Sequence, residues 1–411
     1  MSRDRYAPSL RLQDELHLLR DSLGAVDSHY ESLLDHLQDR LGAPPSKIVA
    51  SSATLTGYER QVEVLYQRTG RVFPQPGPAA GESFWTAPTS KLLRRFVAVA
   101  PRGVTLEHVS DRTINLLQLS VRRLLDDPAA VCQEAGIDPA HAASLIDLYG
   151  TDVLYGTTLY DVEAAQRSLD SNASVAPLVT AQLTGNTDFD EVRDILDRLE
   201  RPEPNFAERI HVVAASAMLS HGVDIARLNT MVMLGLPLST AEFVQTSARV
   251  GRSYPGLVHV LHKIGRERDA QTFRHFDKFV TQGDRFVEPI PITRRSRRVL
   301  RLTLPGLVEG RRLAVMEPAS PNQRLTTVKA LRDYAHANSL GPAEQTDSIA
   351  AALGFTGPVD ELLREEIRDW LGTYFANLDD PASGITWPNE LGPNRPMRSL
   401  RDVEISVPIH D

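Results

Sequence analysis

One stretch of this chain, residues 214–252, sharply limits the folds open to it. It reads AASAMLSHGVDIARLNTMVMLGLPLSTAEFVQTSARVGR. The end of an apolar strand, a Gly-Val-Asp turn, a second apolar strand at 231–234 and a helix follow one another. Buried strands that alternate with helices are typical of a parallel sheet covered by helices. The pattern therefore predicts an α/β fold.

The helix in this stretch carries side chains that suit a phosphate chain. Ser239 and Glu242 have the spacing of a capping box, which predicts where the helix begins. Arg249 and Arg252 are three residues apart, and this spacing places two side chains on one helical face. Planar guanidinium groups bind phosphate oxygens in pairs. The alternative is a solvated pair of arginines at a helix end.

Two further polar turns follow predicted strands upstream. An apolar-rich strand that begins at Leu10 runs into Asp14-Glu15-Leu16-His17, and a strand at 47–50 runs into Ser51-Ser52-Ala53-Thr54. In P-loop nucleotide hydrolases, an aspartate at the end of a strand holds Mg²⁺. An acidic pair at a strand end also commonly caps a helix, so the first turn alone permits both interpretations.

At these turns the chain resembles the superfamily 2 helicases of the DExH-box group, which are two-lobed, ATP-driven nucleic-acid motors. Residues 14–17 resemble motif II, 52–54 motif III, 222–224 motif V and 245–252 motif VI. The resemblance implies RecA-like parallel-sheet lobes, the first incomplete and the second complete, with a helical insert and an α-rich C-terminal region.

The resemblance also implies catalytic roles for matching residues. Asp14 would hold Mg²⁺ through water, Glu15 would polarise the attacking water, and His17 would belong to the same catalytic group. Arg249 and Arg252 would stabilise the charge that develops on the γ-phosphate of ATP.

Other implied roles concern the nucleotide and its coupling to nucleic acid. Gln245, Gly222 and Asp224 would lie on the ATP side, where Asp224 would bind the ribose or orient a motif VI arginine. Asp224 in such a turn is also explained as a simple cap. Ser52 and Thr54 would couple the ATP site to the nucleic-acid groove.

Candidate nucleic-acid contacts occur at two strand ends and in one basic run. Gly156 ends a predicted strand at 152–156 that resembles motif IV, and Thr184 follows a predicted strand at 175–183. Thr184 is interpreted either as a phosphate seat or as part of a turn and helix cap. The basic run is either a patch for nucleic-acid phosphates or a solvated segment. It consists of Arg294, Arg295, Arg297 and Arg298.

No glycine precedes any of the five lysines, so the Gly-Lys-Ser/Thr element of a P-loop is absent from these 411 residues. We therefore expect one half of a split helicase, or a truncated remnant, that requires a chain carrying the P-loop half-lobe. Isolated ATPase activity is not expected.

The sequence predicts four consecutive segments. They are the end of a first lobe (1–70), a Pro/Gly-rich loop with a helical insert (71–150), a second lobe (151–265) and a helical and loop extension (266–411). Within the loop, Phe84 and Trp85 are interpreted either as a pair that stacks on bases or docks a partner, or as an anchor in a core.

Composition excludes several classes of protein. The net charge of −8 and the pI of about 5.9 argue against a generally basic nucleic-acid binder, so any such contact is local. A single cysteine, Cys132, excludes a disulfide framework and a multi-thiolate zinc site. No apolar run approaches the roughly 18 residues of a spanning helix, so we expect a cytoplasmic protein without a membrane partner.

Short outer segments resemble the large helicase subunit of DISARM-type phage-defence systems; they are 12–18, 71–74, 183–185, 286–289 and 397–403. That resemblance implies further defence-system subunits as partners, including a DNA methyltransferase. Two functions remain open: an ATP-dependent DNA helicase or translocase with ATP and Mg²⁺ as cofactors, and a non-catalytic nucleic-acid-binding or assembly subunit. ATP hydrolysis in the presence of the P-loop chain distinguishes them.

Overall fold

The computed structural model describes residues 7–52, 56–75, 84–85, 87, 89–171, 177–203, 205–216, 225–320 and 324–400. The chain divides into two compact units. Residues 74–288 form one, which we call the sheet unit. Residues 1–73 and 289–411 form the other, which we call the helical unit. The division at residues 70, 150 and 265 that the sequence suggested stays a prediction.

The sheet unit is built on a six-stranded sheet in the order β3-β8-β7-β4-β6-β5, in which all neighbours are parallel. Its strands are β3 (Arg94–Val99), β4 (Asp152–Gly156), β5 (Thr180–Leu183), β6 (Val212–Ala215), β7 (Thr230–Leu234) and β8 (Gly256–Leu261). Every residue of β4, β6 and β7 is buried. Strands of this kind occur where helices cover both faces of a parallel sheet.

Helices supply those covers. They are α3 (Leu106–Asp126), α4 (Pro128–Ala135), α5 (Ala142–Tyr149), α6 (Leu159–Ser171), α7 (Phe189–Glu200), α8 (Thr240–Ser247), α9 (Glu267–Arg274) and α10 (Phe276–Thr281). Successive residues of a strand point to opposite faces. Accordingly, Val153 and Tyr155 of β4 belong to one hydrophobic core, whereas Leu154 belongs to a second core with Ile114 of α3.

The predicted strands at 152–156 and 231–234 are present, with ends shifted by at most one residue, and the apolar strand predicted to end within residues 214–252 is β6. The strand predicted at 175–183 begins at Thr180 in the described residues. One strand was missed, because the segment 71–105 was interpreted as irregular on account of its prolines and glycines. Residues 94–99 of that segment form β3, which pairs with β8 along its whole length.

The helical unit contains a parallel pair of strands, β1 (Leu10–Gln13) and β2 (Lys47–Ala50), in which Leu10 is opposite Lys47. Both strands predicted here are present, and the helix Asp21–Arg40 lies between them. Leu10, Leu12 and Val49 are exposed. Parallel sheets are normally covered on both faces, so this apolar surface is unusual for an isolated pair of strands.

Helices make up the rest of this unit. They are α1 (Asp21–Arg40), α2 (Tyr58–Tyr66), α11 (Arg297–Arg311), α12 (Glu317–Ala319), α13 (Val328–Ala337), α14 (Pro342–Ala352) and α15 (Glu361–Asp379), with a π-helical turn at Arg312–Met316. Apolar residues of α11, α13, α14 and α15, among them Leu304, Leu331, Ile349 and Ile367, form one core. None of the helices in the described ranges is both long and apolar enough to cross a membrane.

A buried histidine joins α1 to α11. The Nδ1 of His29 lies 2.8 Å from the Thr303 hydroxyl, and its Nε2 lies 2.9 Å from the Arg294 carbonyl oxygen. The carbonyl oxygen only accepts, so Nε2–H donates to it, whereas the Thr303 hydroxyl can either donate to Nδ1 or accept from it. Burial lowers the pKa of His29 to about 4.

We expect this histidine to make the helical unit sensitive to acid. Because the folded pKa of about 4 lies below the unfolded value of about 6.5, the unfolded state takes up the proton first. The contribution of neutral His29 to the free energy of unfolding is complete above pH 6.5. As the pH falls towards 4, up to about 3 kcal/mol of it is lost. Denaturant unfolding at several pH values should show a smaller loss for His29→Gln than for the wild type.

The wild type and His29→Gln must be compared because a second group also titrates between pH 6.5 and 4. Burial raises the pKa of Asp27 to about 6, and this raises the free energy of unfolding as the pH falls. Equal pH profiles for the wild type and His29→Gln would contradict the assignment.

Candidate active site and nucleic-acid contacts

The acidic turn, residues 14–17, lies where β1 ends. One carboxylate oxygen of Asp14, Oδ1, accepts hydrogen bonds from the Ser51 hydroxyl and, at 2.9 Å, from the Glu15 backbone N–H. The Ser51 hydrogen bond, followed by that from Glu15, lowers the pKa of Asp14 below its usual range. Asp14 is therefore an ionised, oriented carboxylate, the ligand type that Mg²⁺ prefers.

Glu15 has a strained backbone, with φ of 52° and ψ of 48°. A side chain in this left-handed region costs about 1 kcal/mol or more. The turn is held by the Leu16 N–H, which donates to the Ser51 carbonyl at 2.8 Å, and by the Gln61 amide, which donates to the Leu16 carbonyl at 2.6 Å. Such strain clusters at functional sites. The Glu15 carboxylate is half exposed, with Oε2 at 3.4 Å from Nδ1 of the buried His17.

The structure thus brings Asp14, Glu15 and His17 together with a residue that sequence reasoning did not single out. This residue is Ser51, whose hydroxyl donates to Asp14. The signal was present in the strand register, because Gln13 is opposite Ala50 and the residues that follow them must be neighbours. Ser52 follows in the same turn, and Thr54 lies outside the described residues.

In the sheet unit, α8 begins as predicted. Ser239 is its N-cap, and its hydroxyl accepts a hydrogen bond from the Glu242 N–H at 3.2 Å. The helix ends at Ser247, however, so Arg249 and Arg252 lie beyond it. The prediction that they share a helical face is therefore wrong. We call residues 248–254, which follow the helix as bends and turns, the arginine turn.

Gly251 gives the arginine turn its shape. Its φ is +71°, and a Cβ at this position would lie 2.6 Å from the Leu93 carbonyl oxygen and 2.8 Å from the Gly256 nitrogen. The turn is joined to β3 by Nε of Arg94, which donates to the Val250 carbonyl at 2.7 Å. Only glycine combines this backbone conformation with so close an approach.

Arg94 adds a third guanidinium to this region. Burial lowers the pKa of Arg94, and the positive charge of Arg252 lowers it further. The Nε of Arg252 donates to the Ala248 carbonyl at 3.4 Å, which orients its side chain along the turn. Sequence reasoning missed Arg94 because it did not predict β3.

Replacement of Gly251 with alanine is expected to destabilise the sheet unit by about 2 kcal/mol or more. Alanine is disfavoured in the left-handed backbone conformation, and its Cβ would push the start of β3 away. Thermal unfolding measures this loss. Gly265→Ala is the matched control, because a Cβ there meets nothing within 4 Å. Equal melting temperatures for the two variants would show that the turn does not need its glycine.

The other nucleotide-side residues are only partly described. The Nε2 of Gln245 is buried and has no hydrogen-bond partner among the residues that the structure describes. Beside it on α8, Glu242 accepts a hydrogen bond at 2.7 Å from the hydroxyl of the buried Tyr155 of β4. Gly222 and Asp224 lie outside the described residues.

Gly156 and Thr184 lie at the edge where β4 and β5 end, and β6 runs between these two strands. A Cβ on Gly156 would lie 2.7 Å from Val162, so glycine allows α6 to pack closely. Thr184 is buried; its N–H donates to the Thr187 hydroxyl at 3.1 Å. Asp188 caps α7. The turn-and-cap interpretation of 184–188 therefore describes the local structure, while a phosphate contact here stays a prediction.

The basic run does not form a patch of solvated arginines. Arg294 is only 5% exposed and donates to the carbonyl oxygens of Val64 (2.9 Å) and Leu353 (2.9 Å). Arg295 pairs with the buried Asp360 at 2.6 Å, and Arg297 pairs with Glu366 at 2.8 Å. The donors of these three residues thus join segments of the helical unit, and contact of the run with nucleic-acid phosphates stays a prediction. Arg298 follows them at the start of α11 and is also in contact with other groups.

Phe84 and Trp85 lie against each other, with ring centroids 4.8 Å apart in an edge-to-face arrangement. Their exposed fractions are 89% and 65%. The interpretation of this pair as an anchor in a core is therefore wrong.

Comparison with known proteins agrees with this architecture. Residues 150–254 match the family of the helicase conserved C-terminal domain. Two solved structures of the DUF1998 helicase MrfA share the fold. The complex with DNA and AMPPNP has a TM-score of 0.50 at 17% identity and covers 75% of this chain and 37% of MrfA. The complex with DNA alone has a TM-score of 0.50 at 18% identity and covers 74% and 37%.

The parallel sheet, the capped α8 with its arginine turn and the helicase domain match define a superfamily 2 helicase protein, represented here by its C-terminal portion. Within that class the chain is related to the DISARM protein DrmA of Bacillus paralicheniformis, with 30% identity over 309 residues, 69% of this chain and 26% of DrmA. The chain thus spans about a quarter of the length of this relative. The predicted fold class, with RecA-like sheet and helical C-terminal region, is confirmed.

Proposed function

We propose that the chain is part of an ATP-dependent DNA helicase or translocase that acts in phage defence. The observation that carries this proposal is the arginine turn after α8, which lies inside the residues that match the helicase C-terminal domain. Two relatives support it: MrfA has been solved bound to DNA and AMPPNP, and DrmA is a DISARM protein.

On this proposal, ATP and Mg²⁺ are bound with the help of the acidic turn. Asp14 fits water-mediated Mg²⁺ binding, because its carboxylate is ionised and oriented by Ser51. Glu15 would orient the attacking water, and Arg249 and Arg252 would neutralise charge on the γ-phosphate as it is transferred. Mg²⁺ held through water by Asp14 would neutralise negative charge on the phosphate oxygens.

The proposal requires a P-loop from outside this sequence, because none of the 411 residues forms a Gly-Lys pair. The exposed apolar side chains of Leu10, Leu12 and Val49 on the strand pair β1–β2 support further lobe structure that covers them. That structure belongs either to the same polypeptide or to a partner chain, and other defence-system subunits are proposed as partners.

A second candidate function is a DNA-binding or assembly subunit without turnover, which the missing Gly-Lys favours. DNA-stimulated ATP hydrolysis by the full-length protein, supplied with any P-loop chain of the system, separates the two. Hydrolysis that rises with added DNA supports the motor. DNA binding, measured by fluorescence anisotropy, without hydrolysis supports the assembly subunit, and a protein that does neither refutes both.

A further inference from the structure

A cavity of about 230 Å³ opens at the edge of the sheet unit where the strands begin. Its lining includes Thr151, Ile210 and Leu228, which precede β4, β6 and β7. This is the edge opposite to that of Gly156 and Thr184. None of the residues assigned above to ATP or nucleic acid lines it.

Arginines dominate the charge of this cavity. Those in its lining are Arg198, Arg201, Arg209 and Arg227, against the carboxylates Glu203 and Glu208. The donors of Arg227 are already engaged, because it pairs with Asp147 and donates to the carbonyl oxygens of Leu199 and Arg201 at the end of α7. Three guanidinium groups therefore remain for two carboxylates.

Arg209 lines the cavity with a buried guanidinium group whose donors are only partly used. It is only 3% exposed, and one terminal nitrogen, Nη2, donates to the Ile146 carbonyl at 3.1 Å. Its Nε and Nη1 are buried and have no hydrogen-bond partner among the residues that the structure describes. A buried cation without a hydrogen-bonded counter-ion is costly.

The position of this guanidinium is fixed by close packing. A Cβ on Gly150 would lie 2.7 Å from both Cζ and Nη2 of Arg209, so the glycine permits the contact. Burial lowers the pKa of Arg209 and the charge of the nearby Arg227 lowers it further, whereas the carboxylates of Asp147, Glu203 and Asp152 raise it. Burial is the largest of these effects, and the Nε and Nη1 donors remain for an incoming anion.

We propose that this cavity binds the phosphate group of a small ligand, either free phosphate or a phosphate monoester. Guanidinium groups present paired donors that match phosphate oxygens. Arg198 and Arg201 supply exposed charge at the end of α7, and Arg209 supplies a buried charge in the lining of the cavity. The site is independent of the helicase assignment, because no residue is shared with it.

Calorimetric titration of the full-length protein tests the site, with inorganic phosphate, ribose 5-phosphate, ribose and succinate as probes at constant ionic strength. Saturable binding is expected for the first two probes and none for ribose. The stronger of the two phosphates identifies the source of the group. Absence of saturable phosphate and ribose 5-phosphate binding, or equal affinity for succinate, overturns the proposal.

Variants assign the binding to this cavity. The double variant Arg198→Ala/Arg201→Ala is expected to raise the Kd about tenfold or more, since hydrogen bonds between charged groups are lost. Arg193→Ala is the matched control, because it removes an exposed arginine of the same helix that does not line the cavity. An unchanged Kd in the double variant overturns the proposal.

Arg209→Gln is a second test, of the buried guanidinium, provided that the variant keeps the wild-type circular dichroism spectrum. It is expected to abolish phosphate binding. Retained binding in a folded Arg209→Gln protein contradicts the role of the buried guanidinium. Where this variant does not fold, the double variant at the cavity rim, which changes only exposed side chains, decides the question.

Discussion

Replacement of Arg252 with alanine is expected to lower DNA-stimulated ATP turnover by about 10³-fold or more. Arginines that contact the γ-phosphate supply rate enhancements of this size, because they neutralise charge that develops only as the phosphoryl group is transferred. Binding of DNA without nucleotide should change little, since the proposed role is in hydrolysis. Turnover by the full-length protein, with any P-loop chain of the system present, is the measurement.

Matched variants separate a catalytic role from a structural one. Arg274→Ala removes an exposed arginine at the end of α9 in the same unit and should retain wild-type turnover. Arg252→Lys retains the charge but not the planar pair of donors, so it should recover only part of the lost activity. Full turnover in Arg252→Ala, with an unchanged melting temperature, would refute the proposed role of the arginine turn.

The second large effect is expected for Glu15→Gln, which should lower ATP turnover by about 10²-fold to 10³-fold. A glutamine has nearly the same shape but cannot accept a proton from the attacking water, and general-base contributions are of this order. The substitution leaves the left-handed backbone of the acidic turn as strained as before. Steady-state turnover at saturating ATP and DNA is the measurement.

Glu59→Gln is the control for this variant, because Glu59 is an exposed carboxylate in the first turn of α2, outside the acidic turn. If Glu15→Gln hydrolyses ATP at the wild-type rate while Arg252→Ala is inactive, the arginine turn is catalytic and the acidic turn is not part of the mechanism. ATP binding by Glu15→Gln should remain, since the change affects the chemical step.

Much of the sheet unit was predictable because its signals are local. The buried strands at 152–156 and 231–234 are short apolar runs, and α8 begins at the cap that Ser239 and Glu242 predict. The end of α8 was not predictable in the same way. Arg249 and Arg252 fit a helical spacing, but the close approach of Gly251 to β3 requires a turn there.

The candidate site was predictable in type more than in detail. The sequence predicted Asp14, Glu15 and His17 as a group, and they do lie together in one turn. Their roles, and those of Gln245, Gly156 and Thr184, remain predictions. Ser51 joined the acidic turn, and Arg94 the arginine turn, only through strand pairing, which links segments that are far apart in the chain.

The sequence by itself determined the class of fold and the family relationship, because these rest on short motifs and on the residue types they contain. The need for a P-loop from elsewhere stays a prediction. Only the tertiary structure decided the environment of each arginine. The sequence suggested that Arg294 belongs to a basic patch, but it is buried against backbone carbonyls. Arg209 was not predicted as a site residue, and it is a buried cation that lines a cavity. The reason is physical: the environment of a charge depends on segments that folding brings around it, and its neighbours in the sequence do not reveal them.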